Sequence, residues 1–298
     1  MSRRVFYLMS GAAHCPYLVT SLYSLREIAG YDGEIEVYAW PESMEVVERI
    51  AQDTNLAISP ILNRQPAYRG KNAQFLDKIR LSMTMHSGTN IYLDADTMPV
   101  QSIEDLFEEA EHNFVATQFG SWLSNSGLPQ KRVKRLYEFF GNHTGDCVDA
   151  VHWIDSATSL ALPSPNGGVF AFSGKHQYIL AQWELWTDAV KKKVFIADEA
   201  CLHLIVAKYI GRGLFVMPGE YNASPKHKSC PDEDVKIWHF HGDSNVRMND
   251  EGEFKSVKGW ETWSPVYHHC LSANVGGLAE WVGDVGNEYL NKRLDDLL

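Results

Sequence analysis

The sequence predicts an α/β fold with a mostly parallel central sheet wrapped by helices on both faces. Three observations carry that expectation. Strand-length apolar runs alternate with segments of helical spacing over the first 120 residues. The runs at 5–9 and 91–93 are apolar at consecutive positions, as buried strands are. No internal repeat, low-complexity tract or long linker breaks the chain, so one compact unit is expected.

Taken in order, VFYLM (5–9) is a first strand, followed by a loop through SGAAHCP. YLVTSLYSLREIA (17–29) has apolar residues at helical spacing and stops at Gly30. EIEVYAW (34–40) alternates and is rich in strand formers, and PESMEVVERIAQ (41–52) begins a helix on Pro41, a residue suited to the first turn. KNAQFLDKIRLSMTMH (71–86) is a third helix and leads into a strand at 90–94. SIEDLFEEA (102–110) carries the pattern of a capping box, Ser102 with Asp105, and FVATQF (114–119) is strand-like. Residues 118–165 read as loops that line a pocket, with Trp122, His152 and Trp153 among them. NGGVFAFSG (166–174) is a strand, HQYILAQWELWTDAVKK and IADEACLHLIVAKYI are helices, and LFVM (214–217) and VKIWHFHG (235–242) are short strands. The final stretch, 277–298, is an amphipathic helix whose five acids and two bases argue for core packing rather than a membrane role.

The composition fits a globular chain: 298 residues, 45% hydrophobic and 22% charged. A formal charge of −11 argues against a sequence-independent grip on nucleic acid and against docking on anionic lipid. No stretch reaches the roughly 18 apolar residues of a membrane span, and the apolar run after MSRR is too short for a signal peptide. Cys15, Cys147, Cys201, Cys230 and Cys270 are scattered and odd in number with no CxxC pair, so reduced thiols in a cytoplasmic protein are expected.

The chemistry concentrates in a few places. IYLDADTMPV (91–100) runs an apolar strand into Asp94 and Asp96. A buried, unpaired carboxylate costs several kcal/mol or neutralises itself, so the acids belong where the strand leaves the sheet, facing a cation. Side chains two apart on a strand stand ~6.6 Å apart, and one ion meets both only if the chain turns. Hard oxygen donors suit Mg²⁺ or Mn²⁺, which bridge carboxylates to substrate phosphates. A solvated cap or surface pair has the same pattern. In WHFHGDSN, His239 and His241 share one strand face, and imidazole beside carboxylates favours Mn²⁺; two half-buried histidines bonded to carbonyls are the bland alternative. His268 and His269 are assigned a structural role. Asp198 and Glu199 open a helix, where the dipole favours acids, yet acids beside an electrophilic carbon also serve as nucleophile or base. Asn166-Gly167-Gly168 lets a ligand approach the backbone. Lys78 offers positive charge before the aspartates, or simply a solvated face.

The order of these motifs resembles the metal-dependent GT-A glycosyltransferases, in particular glycosyltransferase family 8, the group of glycogenin and the lipopolysaccharide galactosyltransferases. An N-terminal strand, loop and helix precede a lysine sixteen residues before Asp94; Asn-Gly-Gly on a strand, an Asp-Glu helix and HFHG follow. The resemblance covers roughly residues 3–245. It implies a GT-A catalytic domain at 1–250, with 251–298 a helical extension packed on the same unit. It implies that Asp94, Asp96 and His239 hold Mn²⁺ (or Mg²⁺) bridging the phosphates of a nucleotide diphosphate sugar, most simply UDP-linked. Lys78 would approach the donor, Asn166 the sugar hydroxyls, Asp198 the anomeric carbon, with Glu199 beside it, and Tyr17 would stack the nucleobase. The implied activity is hexosyl transfer to a saccharide or other hydroxyl acceptor, with retention. Two departures stand out. The family commonly has Asp-Gln where Asp198-Glu199 stands, and its lysine after His-Phe-x-Gly falls on Asn245, leaving Arg247, or Lys226 and Lys228, to steady the diphosphate. A non-catalytic sugar- or nucleotide-binding protein on the same scaffold is one alternative. A haloacid-dehalogenase-type phosphatase is another, but it needs a Thr or Val where Met98 sits.

Overall fold

Successive side chains of a strand alternate between faces, and the first strand, β1 (Arg3–Met9), divides the core that way. Val5, Tyr7 and Met9 enter one apolar layer, and Phe6 and Leu8 enter the other. The structure, a computed structural model, describes residues 2–63, 73–141, 147–194, 196–225, 227, 230–240, 247–248, 254–255 and 259–284.

After β1 come α1 (Cys15–Tyr23), β2 (Glu34–Ala39), α2 (Met44–Ile50), β3 (Ile58–Leu62), α3 (Ala73–Thr84), β4 (Thr89–Leu93), β5 (Thr97–Pro99) and α4 (Glu104–Ala110). Then follow β6 (Phe114–Leu123), α5 (Gly127–Lys134), α6 (Tyr137–Phe140), α7 (Ala150–Ser159), β7 (Pro163–Ser173), α8 (Gln177–Val190) and α9 (Ala197–Tyr209). The chain continues with β8 (Leu214–Met217), β9 (Ile237–His239), β10 (Arg247–Met248), β11 (Phe254–Lys255), α10 (Trp260–Ser272) and α11 (Leu278–Asp284).

The main sheet has the order β3-β2-β1-β4-β7-β6-β8. Its pairs are parallel except those that β7 makes with β4 and β6. The expected mostly parallel α/β sheet is therefore present. The antiparallel β7 matters for the site, because its middle lies beside the end of β4: Leu93 pairs with Val169, and the Asp94 amide donates to the Gly168 carbonyl at 2.8 Å. One core layer gathers residues of α1, α4, α10 and α11, and the other those of α3, α8 and α9. Among the described residues no disulfide forms, and no helix is long and apolar enough to cross a membrane.

Several elements depart from the sequence expectation. The helix expected over 17–29 is α up to Tyr23 and then a π turn, Ser24–Ile28, which brings Arg26 to the carbonyls of Tyr31, Gly33, Leu56 and Ala57. The described part of 118–165 is largely regular rather than loop: β6 extends to Leu123 and three helices follow, α7 burying Ala150, Ile154 and Ala157 at helical spacing. Ser102 and Asp105 form no capping box. Ser102 accepts from the Glu104 amide at 3.3 Å, and Asp105 accepts the Tyr221 hydroxyl at 2.5 Å. The terminal helix is described only as far as Asp284.

Candidate active site

The apolar run of β4 ends at Leu93, and the chain turns at once. The Thr97 amide and hydroxyl both donate to the Asp94 carbonyl, at 3.0 and 2.8 Å. This turn supplies what an extended strand lacks, both carboxylates on one side of a small space. Thr97 then opens β5, a three-residue strand paired antiparallel with β9, and the register sets Thr97 opposite His239. A local pairing thus carries the imidazole back to the acids across more than 140 residues.

The His239 Nε2 lies 3.2 Å from Asp96 Oδ1 and 3.8 Å from Asp94 Oδ2. One ligand atom from each of the three residues falls within 4.8 Å of the others, the one such cluster among the described residues. Opposed ligands at about 2.1 Å from an ion stand about 4.2 Å apart, so the set closes on one cation with small shifts.

Neighbouring hydrogen bonds fix the ring's tautomer. Thr117 spends its hydroxyl hydrogen on the Val169 carbonyl (2.8 Å), so it accepts from Asn222 Nδ2, also at 2.8 Å. The Asn222 amide hydrogens also face Asn166 Oδ1 at 3.3 Å, which leaves Asn222 Oδ1 to accept from His239 Nδ1 at 2.9 Å. A proton held on Nδ1 frees the Nε2 lone pair toward the acids, the arrangement of a metal-bound histidine. The donor set of two carboxylates and one imidazole suits a divalent cation. Burial pushes the Asp94 carboxyl above its ordinary value, with Asp96 adding to the rise and Lys78 and His239 opposing it. Burial opposes the charge on His239, but the carboxylates of Asp96 and Asp94 outweigh it and raise its pKa.

Lys78 comes from α3 and is 2% exposed. Its Nζ sits 2.8 Å from Asp198 Oδ2, 2.8 Å from the Gly167 carbonyl and 3.9 Å from Asp94 Oδ1. Burial works against its charge, yet Asp198 and Asp94 raise its pKa above the ordinary value, so the ammonium stays charged. Asp198 and Glu199 lie in the first turn of α9, whose preceding residue, Ile196, has φ 55°. A β-branched residue there costs about 1–3 kcal/mol, strain that concentrates at functional sites. Asp198 is 1% exposed, and its Oδ1 is buried without a hydrogen-bond partner.

Glu199 accepts from Arg132 Nη1 at 2.5 Å and faces Asn166 Nδ2 at 3.5 Å. Burial raises its pKa, with Arg132 the main opposing influence. Each of the two adjacent acids therefore meets its own cation, Asp198 the Lys78 ammonium and Glu199 the Arg132 guanidinium from α5. The site's own side chains require the two glycines. A Cβ on Gly168 would collide with the His239 ring, and one on Gly167 would stand 3.0 Å from Asp198 Oδ2 and 3.1 Å from Lys78 Nζ. They make room for the site's own side chains.

Asp94, Asp96, His239, Lys78, Asn166, Asp198 and Glu199 thus gather where β4 ends beside the middle of β7. Tyr17 does not present a free face: it is 2% exposed, with its ring 4.9 Å from that of Trp263 in α10. Asn245, Lys226, Lys228 and His241 lie outside the described residues, as does the side chain of Arg247. Sequence reasoning missed Asn222, Thr117 and Arg132, which carry no motif and act only through spatial pairing.

No family model and no curated protein matches the sequence. Solved structures do match. Mouse xyloside xylosyltransferase 1, apo form, aligns with a TM-score of 0.52 at 13% identity over 81% of this chain and 98% of that one. The galactosyltransferase LgtC, solved with donor and acceptor sugar analogues, gives 0.58 at 14% identity over 89% and 95%. The apo bifunctional glycosyltransferase WbbM gives 0.58 at 10% identity over 89% of this chain but 49% of that one, so this chain spans about half its length. At such identities the likeness establishes the fold, which is the GT-A-like α/β fold of these transferases.

Proposed function

We propose that the chain is a divalent-metal-dependent glycosyltransferase that moves a hexosyl group from a nucleotide diphosphate sugar, UDP-linked, to a hydroxyl acceptor with retention at the anomeric carbon. The observation that carries this reading is the convergence of Asp94, Asp96 and His239 in one cluster, with Lys78 and Asp198 ion-paired beside it. The fold likeness favours it over a phosphatase.

Asp94 and Asp96 would hold Mn²⁺ through hard oxygens, and His239 through Nε2. The bound ion would stabilise the negative charge that grows on the diphosphate as it departs. The chain's own part is arrangement. Asn222 keeps the His239 proton on Nδ1, and Gly168 leaves space for the ring. Lys78 holds Asp198 in place through Oδ2, leaving Oδ1 open, and stands 3.9 Å from Asp94 Oδ1. The unpartnered Asp198 Oδ1 stabilises positive charge developing at the anomeric carbon, Asn166 binds a sugar hydroxyl, and the leaving phosphate accepts the acceptor's proton.

The test is a screen of nucleotide sugars for transfer or slow hydrolysis with and without Mn²⁺. Turnover is expected only with the metal, and Asp96→Asn abolishes it while melting normally. Full activity in that variant rules the site out, and tight binding without turnover establishes a binding protein instead.

A further inference from the structure

Outside the cluster just described, the molecule's charge is unevenly placed. Residues 131–135 and 191–193 read KRVKR and KKK, so eight positions hold seven of the chain's 27 Lys and Arg and none of its 38 Asp and Glu. The remainder carries 20 cations against 38 acids, a balance of −18. These two segments, at the ends of α5 and α8, border one cavity of about 220 Å³ lined by Arg132, Arg135, Glu138, Phe139, Lys193 and Val194. Drug-sized pockets run from about 300 Å³ upward, so the space suits one polar group with a small body.

We propose that this cavity binds an anionic group of the acceptor, a phosphate monoester or a carboxylate. The inference rests on the transferase reading for the word acceptor, but the anion site rests on its own observations. Basic residues at helix C-termini often do no more than answer the dipole; three features go beyond that. Neither Arg135 nor Lys193 forms an ion pair among the described residues, and Glu138 is the lone acid of the lining. Phe139 and Val194 give the cavity an apolar wall, with the Lys193 ammonium 5.4 Å from the centre of the Phe139 ring. Arg132 belongs to both places: it lines the cavity and binds Glu199, the neighbour of Asp198. A single ion pair therefore separates the cavity from the reacting end of α9. An acidic chain with one concentrated basic surface also draws anions to it.

The experiment titrates the full chain with a hexose 6-phosphate, a hexuronate and the neutral hexose by calorimetry at low and moderate salt, and follows Mn²⁺-dependent hydrolysis of nucleotide sugars in parallel. One of the two anions binds, the other separating phosphate from carboxylate recognition, and the neutral sugar is at least about tenfold weaker, as loss of charged hydrogen bonds requires. Arg135→Ala with Lys193→Ala removes that preference. Lys131→Ala with Lys134→Ala, the same charge change outside the cavity lining, keeps it. Equal binding of all three sugars, no binding, or equal losses in both double variants overturns the proposal; in the last case the basic surface acts diffusely, as it would on a membrane or polyanion. A wild-type chain that binds the anion but never turns over a nucleotide sugar sinks the transferase reading and leaves the anion site standing.

Discussion

Asn222 bonds Nδ1 of His239, the ring nitrogen turned away from Asp94 and Asp96, and Asn222→Leu tests whether that bond orders the proposed metal site. The side chain is fully buried and nearly isosteric with leucine. Its loss leaves the His239 Nδ1–H and the Asn222-facing groups of Thr117 and Asn166 without their partner. An orphaned buried donor costs about 1–3 kcal/mol. The imidazole escapes part of that cost by moving its proton to Nε2, which faces Asp96 at 3.2 Å and can then donate to it. That tautomer has no lone pair for a metal. Loss of such an outer partner typically lowers metal affinity about 10–100-fold, equivalent to about 1.4–2.7 kcal/mol. Electron paramagnetic resonance of free Mn²⁺ during titration measures it directly, with thermal melting as a check on folding. Asn222→Asp restores an acceptor for Nδ1 and should recover most of the affinity. A folded Asn222→Leu protein that binds Mn²⁺ as tightly as wild type refutes the reasoning.

Three further outcomes follow from the same geometry. Gly168→Ala keeps an ordinary backbone conformation, since Gly168 has no positive φ, but drives a methyl into the His239 ring; it should cost about 1–3 kcal/mol of stability and weaken Mn²⁺ binding, measured by unfolding and titration. Lys78→Met leaves Asp198 charged and buried, a loss of about 3–5 kcal/mol; adding Asp198→Asn should restore much of the stability but not the transfer activity, and purely additive losses would contradict the pairing. His203 lies buried between Ser164 and the Glu199 carbonyl, and burial pushes its pKa down to about 4. The unfolded chain takes up that proton first, near pH 6.5, so the neutral ring's contribution is lost as pH falls toward 4, by roughly 3 kcal/mol at the acid end. Chemical unfolding of His203→Gln should show a weaker dependence on pH between 6.5 and 4.5 than wild type, and equal slopes would count against it.

The sheet was readable from the sequence because its central strands are apolar at consecutive positions and most of the helices between them show apolar residues at helical spacing. VFYLM and IYL leave few other options for a chain that must bury them. The three helices between β6 and β7 were less readable, since α5 is dominated by charge and α6 is a single turn. In the site, Asp94, Asp96, His239, Lys78 and Asp198 were legible as residue types in a motif order. Their geometry was not, because it depends on β5, a three-residue strand too short to carry a periodic signal. Asn222 had no signal at all; EYNAS is ordinary turn sequence, and only the fold brings it to His239. Arg132 hid inside a basic run that reads as solvated surface, although it balances Glu199. Tyr17 was expected to stack a nucleobase, but its ring is buried against Trp263, a contact made by a helix near the other end of the chain that no local pattern announces.

Anomalous diffraction from crystals of the full chain grown with Mn²⁺ tests the central claim most directly. A strong manganese peak is expected, bonded by the carboxylates of Asp94 and Asp96 and by Nε2 of His239, with Asn222 still on Nδ1. No peak there, or one that leaves His239 out of the coordination shell, contradicts it.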